Sequence, residues 1–229
     1  MRRYYDSLVL ADFSENLLMF SKHLGWSGIG IDVSDVLKRG AVAFNAFVRK
    51  VNCLTNGFRI LLRATYQRDY VRGLPLQIKT LVAFYGTFSS REEFRRLVTA
   101  KEVRILSLNV TDVKVINEEI INILLQHKDK YLEVIIGDLQ NLSNIKLSKT
   151  VANLRARIDL LYRARDQLII SSGARDFLEL SSPRIIRALL RTLGLPEELI
   201  LLSLSDNPSK IFNLPNPVVV MSYGSDGVQ

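Results

Sequence analysis

The chain has 229 residues, 48% of them hydrophobic and 8% aromatic, which suits one α/β barrel or two small domains with an ordinary core. Lys and Arg number 31 against 23 Asp and Glu, and the resulting net charge of +8 favours polyanionic partners and disfavours acidic ones. A single cysteine, Cys53, excludes an internal disulfide and a thiolate metal cluster built by this chain alone, and it fits a reducing cytoplasm.

In chain order, MRRYYDSLVLAD lacks the apolar core of a signal peptide, and no run along the sequence reaches the eighteen apolar residues of a membrane span. A soluble, cytoplasmic protein is expected. Tyr4–Leu10 reads as a first strand. Ser14 caps a helix through Leu17, Leu18, Phe20 and Leu24 that Gly25 closes. Trp26–Ile31 is a second strand ending at Asp32. Ser34 or Asp35 caps a helix with Val36, Leu37, Val42, Phe44, Phe47 and Val48 as its candidate buried stripe. Asn56–Gly57 turns into a third strand, Phe58–Leu62, which delivers Arg63 at its end. Gln67–Pro75 reads as a loop or irregular connection.

Leu81–Phe84 is a fourth strand, followed by a helix from Ser89 or Ser90 with Glu92 and Glu93 in its first turn. Val103–Leu108 is a fifth strand, with a helix through Ile116, Ile120, Ile123 and Leu124 after it. Leu132–Ile136 is a sixth strand, a long helix runs from about Lys146 to Ala164, and Leu168–Ile170 is a seventh strand. Strands alternating with helices over short links describe a parallel sheet with right-handed crossovers. The pattern alone leaves open whether that sheet closes into a barrel or stays doubly wound. The expected division is one domain over 1–212 and a tail over 213–229, frayed or docking on a partner, with an apolar strip at Val218–Met221.

Leu168–Leu204 is the most informative stretch. After the seventh strand come Ser171-Ser172-Gly173-Ala174 and Arg175. Ser182 and Pro183 then suit the N-cap and first position of a helix that Gly194 ends. That helix carries Ile185, Ile186, Leu189, Leu190 and Leu193 on one side and Arg184, Arg187 and Arg191 on the other. The succession SSGA-Arg, FLEL, SPR and LGLPEE, followed by LSDNPSKIF at Leu204–Phe212, resembles the end of the ribonuclease P protein component 3 family. The opening YYDSLVL and the segment Glu15–Asp32 (ENLLMFSKHLGWSGIGID) resemble that family too. Roughly Val33–Lys130 matches it by element order only.

The resemblance implies an α/β fold, a TIM-like barrel of about seven parallel strands, with helices filling the missing corner. It implies an accessory subunit of ribonuclease P, the endoribonuclease that removes the 5′ leader from precursor tRNA. In that family the RNA subunit cleaves with bound Mg²⁺. The protein pairs with ribonuclease P protein component 2 in a two-plus-two assembly and needs no cofactor of its own.

Catalytic patterns are sparse. His23 and His127 are the two histidines, both on expected helices, and Ala11-Asp12-Phe13 stands where a barrel phosphoesterase would carry His-x-His. Asp12, Asp32 and Asp138 each follow a strand and are candidates for a general base or a Mg²⁺ set, although Asp also commonly ends strands and caps helices. The SSGA turn is a weak candidate for a phosphate nest. No Walker or GxGxxG spacing occurs.

The strongest signal is basic. Between Lys146 and Arg165 six basic residues meet one acidic residue, Asp159. A continuous helix there buries Leu147, Val151, Leu154, Ile158 and Leu161 and turns Lys146, Lys149, Arg157 and Arg163 outward, with Arg155 on the flank. No aromatic platforms interleave with these residues, which argues against single-strand base reading. The candidate RNA-binding residues are therefore Lys146, Lys149, Arg155, Arg157, Arg163, Arg175, Arg184 and Arg187. Two other classes stay open: a barrel phosphoesterase or sugar-phosphate enzyme using the three aspartates, and a structural subunit with protein contacts only.

Overall fold

Seven short strands pair in parallel in strictly sequential order, so each crossover helix falls outside a sheet that curls back on itself. The computed structural model describes residues 2–54 and 58–213. The expected Asn56–Gly57 turn and nearly all of the expected tail lie outside the described residues. The strands are β1 (Tyr5–Val9), β2 (Gly28–Asp32), β3 (Arg59–Thr65), β4 (Ala83–Thr87), β5 (Val103–Asn109), β6 (Tyr131–Ile135) and β7 (Leu168–Ser171). The chain is a TIM-like α/β barrel, as the resemblance implied.

The helices in order are α1 (Glu15–His23), α2 (Ser34–Lys38), α3 (Ala41–Leu54), α4 (Arg68–Gly73), α5 (Leu76–Leu81), α6 (Arg91–Val98), α7 (Glu118–Gln126), α8 (Asn144–Arg155), α9 (Ile158–Arg163), α10 (Pro183–Thr192), α11 (Glu197–Leu201) and α12 (Asn207–Phe212), with a π-helical turn at Leu202–Asp206 before the last. Several ends form where side-chain chemistry places them. Ser14, Ser90 and Ser182 accept from the backbone N–H three residues on, at Leu17, Glu93 and Ile185. Gly25 and Gly194 take φ of 92° and 97° just past α1 and α10, a conformation side-chain-bearing residues avoid.

Four expectations need correction. The helix expected after Asp32 is two, α2 and α3, because Gly40 with φ 98° breaks it, and Val33 rather than Ser34 or Asp35 is the N-cap. Gln67–Pro75 is not irregular: it contains α4, whose Val71 is buried. The helix expected through Ile116 begins only at Glu118, after a 3₁₀ segment over Val110–Val115. The continuous helix expected from Lys146 to Ala164 breaks at Ala156–Arg157 into α8 and α9, which resets the phase of every side chain beyond the break.

Two apolar layers result. One lies between strands and helices, where Leu17, Phe94, Val113, Leu124, Leu161 and Leu190 pack on the outward residues of the sheet. The other fills the lower half of the barrel with Tyr5, Leu61, Ile105 and Ile169, corked from below by Ile211 and Phe212 of α12. The Phe212 ring lies 4.7 Å from that of Tyr5, centroid to centroid. No eighth strand is present among the described residues. At the top, β1 and the end of β7 join directly: Gly173 N–H donates to Leu8 O at 2.9 Å and Leu10 N–H to Ala174 O at 2.7 Å. Lower down, the π-helical turn and α12 stand against β1 and β7.

Candidate nucleic-acid interface

Strand alternation sends Ser7, Arg63, Ser107 and Glu133 into the middle of the barrel, above the apolar plug. Arg63 is not at the end of its strand, as expected, but inside it, and both it and Glu133 are 0% exposed. The guanidinium donates through Nη1 to Glu133 Oε1 and through Nη2 to Oε2, each at 2.7 Å, and Nη1 also reaches Ser7 O at 2.6 Å. Ser7 and Ser107 hydroxyls donate to the same carboxylate at 2.8 and 2.6 Å. The Tyr85 ring covers the guanidinium at 4.5 Å. Gly30 on β2 makes room, since a Cβ there would collide with Ser7 O and press on Arg63 Cδ at 3.1 Å. Burial opposes charge on Glu133, but Arg63 and the two hydroxyls outweigh it and hold the carboxyl below its usual range.

At the C-terminal rim, where barrels bind ligands, the backbone N–H groups from Ser172 to Arg175, in and beside the turn that is a weak phosphate-nest candidate, are all taken. Gly173 N–H goes to Leu8 O, Ser172 N–H to Asp6 Oδ1 at 3.0 Å, Ala174 N–H to Ser172 Oγ at 3.1 Å and Arg175 N–H to Glu179 Oε2 at 2.8 Å. The strand-end aspartates do not act as a set. Asp12 is exposed, Asp32 accepts from the Tyr85 hydroxyl at 2.6 Å and from Ser34 N–H at 2.7 Å, and Asp138 pairs with Arg175 at 3.3 Å. Among the described residues no three His, Cys, Asp or Glu side chains gather in a group fit for a metal ion.

The eight basic candidates divide by partner. Arg155 donates to Thr192 O and Leu193 O at 3.1 and 3.2 Å, so it caps the C-terminal end of α10. Arg157, half-buried rather than turned outward, donates to Lys114 O at 3.3 Å. Arg163 binds Glu118 at 3.1 Å and Asn122 Oδ1 at 2.8 Å and so ties α9 to α7. Arg187 bonds the Tyr4 hydroxyl at 3.0 Å and pairs with Glu197, and Arg175 pairs with Asp138. Lys146 and Lys149 on α8 and Arg184 on α10 are exposed and have no ion-pair partner among the described residues. On α10 itself, Ile186 and Leu190 are buried while Ile185 is 60% exposed, so its apolar face is wider than its core contact.

The family model for RNase P subunit p30 matches residues 79–215. The chain belongs to the RNase P subunit p30 family. It is thus a protein subunit of ribonuclease P, an endoribonuclease complex, with a role in tRNA processing. This p30-family barrel is similar in fold to a chain of the cryo-EM structure of archaeal ribonuclease P with mature tRNA, at 16% identity, TM-score 0.72, and coverage of 98% of this chain and 96% of that one. It is also similar to a putative 2-pyrone-4,6-dicarboxylic acid hydrolase from Pseudomonas putida, at 11% identity, TM-score 0.56, and coverage of 94% and 99%. An Agrobacterium tumefaciens protein solved in its apo form matches at 10% identity, TM-score 0.58, and coverage of 93% and 97%. No curated protein sequence matches the chain.

The p30-family chain shares its barrel fold with these proteins. Reading strand by strand put Arg63 at a strand end and missed Glu133, and so missed the pair. Their signal was present: one opposite charge sits inside each of two apolar runs, RILLRAT and YLEVI. No helix among the described residues is long and apolar enough to cross a membrane.

Proposed function

We propose that the chain serves ribonuclease P as a scaffold that binds RNA through a basic face and leaves cleavage of precursor tRNA to the RNA subunit and its Mg²⁺. The carrying observation is the C-terminal rim, the ground where a barrel enzyme reads its substrate: the backbone donors of the Ser172–Arg175 turn are taken within the chain, Asp32 is held by Tyr85 and Ser34, and Asp138 pairs with Arg175. The outer surface is then left for contact. Lys146, Lys149 and Arg184 are the phosphate-binding residues of this proposal, because their charges are not spent on neighbours. Arg155, Arg157, Arg163, Arg175 and Arg187 hold the helices that present them, and their remaining N–H groups add to the same face. Ribonuclease P protein component 2 is the proposed protein partner, in a two-plus-two assembly in the cytoplasm.

The test is reconstitution of the complete chain with component 2, ribonuclease P RNA and precursor tRNA. Cleavage is expected to depend on this chain and to weaken, with a flatter salt dependence, in a Lys146→Gln/Lys149→Gln/Arg184→Gln variant. Each lost phosphate contact lowers the log–log salt slope by about 0.7–0.9. Cleavage that proceeds equally well without the chain would overturn the proposal.

A further inference from the structure

We propose a second RNA-binding site on the flank of the barrel, in a cleft between α4 and the end of α6, taking a phosphodiester segment with one base laid on Tyr66. This rests on the reading of the chain as an RNA-binding subunit, and it adds a site that the basic stretch from Lys146 onward does not include. The cleft has a volume of about 680 Å³ and is lined by Tyr66, Arg68, Arg72, Arg96, Lys101 and Glu102 among others. Arg68 and Arg72 stand four apart on α4 and share a face, while Arg96 and Lys101 come from the end of α6 and the turn beyond it.

Four cations thus converge from two segments that are unremarkable in local charge. None of the four forms an ion pair with a described residue, in contrast to Arg155, Arg163 and Arg187, whose charged heads are engaged by neighbours. Glu102, the one acidic wall residue, and Asp69 nearby act on the Tyr66 hydroxyl from a distance without neutralising the arginines. Concave walls concentrate such a field, and a chain of phosphates is the ligand that meets several cations at once.

The aromatic ring decides between kinds of polyanion. Tyr66 is half-buried, its backbone N–H bonded to Tyr85 O at 2.7 Å, and it lines the cleft. Its hydroxyl, neutral at its ordinary value and pushed further up by burial and then Glu102, is a donor toward a phosphate oxygen. Cations around a ring suit an unpaired nucleotide, with backbone on the arginines and base on the aromatic face. The cleft is open and rimmed by charge, unlike the enclosed apolar pockets that hold free small molecules, so a continuous strand is its occupant.

The test measures binding of the full chain to ribonuclease P RNA as a function of salt for three variants. Arg68→Gln/Arg72→Gln/Arg96→Gln/Lys101→Gln is expected to lower the log–log salt slope by about 3, and Tyr66→Leu to weaken binding about tenfold with the slope unchanged. The third variant, Lys146→Gln/Lys149→Gln/Arg184→Gln, reports on the α8–α10 face. If it lowers the slope while the cleft variant keeps it, the cleft site is wrong and the RNA-binding reading stands. If unaltered chain fails to bind the RNA, both fall. Displacement of RNA from the cleft by millimolar adenosine monophosphate would make a free nucleotide the occupant and overturn the proposal. So would loss of component 2 binding, rather than RNA binding, in the cleft variant.

Discussion

The Arg63 guanidinium and the Glu133 carboxylate face each other in a two-pronged pairing across the barrel axis, from strands β3 and β6 that are not neighbours in the sheet. Both are fully buried, so desolvation opposes the pair, and it is tolerable only because both carboxylate oxygens and both terminal guanidinium nitrogens are bonded, with Arg63 Nε left over. Removing one member should therefore cost more than removing both. Glu133→Gln or Arg63→Met is expected to destabilise by about 3–5 kcal/mol, and the double variant Arg63→Met/Glu133→Leu to regain most of that. Urea unfolding midpoints for the three variants check it.

Two buried carboxyls push acid stability in opposite directions. Asp6 is driven up to about 6, first by burial, with Glu133 adding repulsion, and its Oδ2 has no partner. A raised folded value means the folded state holds the proton more tightly than the unfolded chain. Its contribution is full below the unfolded value near 4 and is lost as pH rises through about 6. Glu133, held low, contributes above the unfolded value and loses that contribution as pH falls through its depressed folded value. Stability should thus increase by about 2 kcal/mol from pH 7 to pH 4.5 and decline in stronger acid. Asp6→Asn should abolish the rise and keep the decline, as chemical denaturation across pH will report.

Gly30 and Gly173 have no substitute. An alanine methyl at Gly30 strikes Ser7 O, which is backbone and cannot swing aside; at Gly173, with φ of 62°, it strikes Ile135 Cγ2. Gly30→Ala is expected to prevent folding or to cost more than about 3 kcal/mol, whereas Gly73→Ala, which meets nothing within 4 Å, should be neutral within about 1 kcal/mol. Circular dichroism melts of the two variants decide it.

The basic residues should separate into two phenotypes. Arg155→Gln removes the cap on Thr192 O and Leu193 O and should lower stability by about 1 kcal/mol. Lys146→Gln/Lys149→Gln removes no contact to a described residue and should leave stability unchanged while RNA affinity falls. Paired unfolding and RNA titration measurements test the division.

Element order was legible in the sequence because each strand is a short apolar run and each main helix has its own punctuation, such as Ser14, Ser90, Ser182 and Gly194. Boundaries slipped where local signals compete. The Leu81–Phe84 run spans the end of α5 and the start of β4 with no turn residue between them, so its first residues read as strand. The α8–α9 break has neither Gly nor Pro to announce it; it forms where Arg157 turns toward Lys114 O, a long-range contact invisible to periodicity. The same limit applies to the interface. Charge density along the chain marks Lys146–Arg165, but it does not reveal that Arg155 and Arg163 are engaged by helices α10 and α7, or that Arg68 and Arg96 share a cleft.

The cork formed by Ile211 and Phe212 has a consequence for biosynthesis. The first strand, β1, has its inward Tyr5 covered by a ring that the ribosome adds more than two hundred residues later. Neither the bottom of the barrel nor the lower part of its β1–β7 seam is complete until that segment has emerged, so closure waits until α12 has been made. A nascent or prematurely terminated chain lacking α12 leaves Tyr5, Leu61 and Ile169 open to water at the barrel's base. Such a product exposes apolar surface of the kind that drives aggregation of partly folded chains.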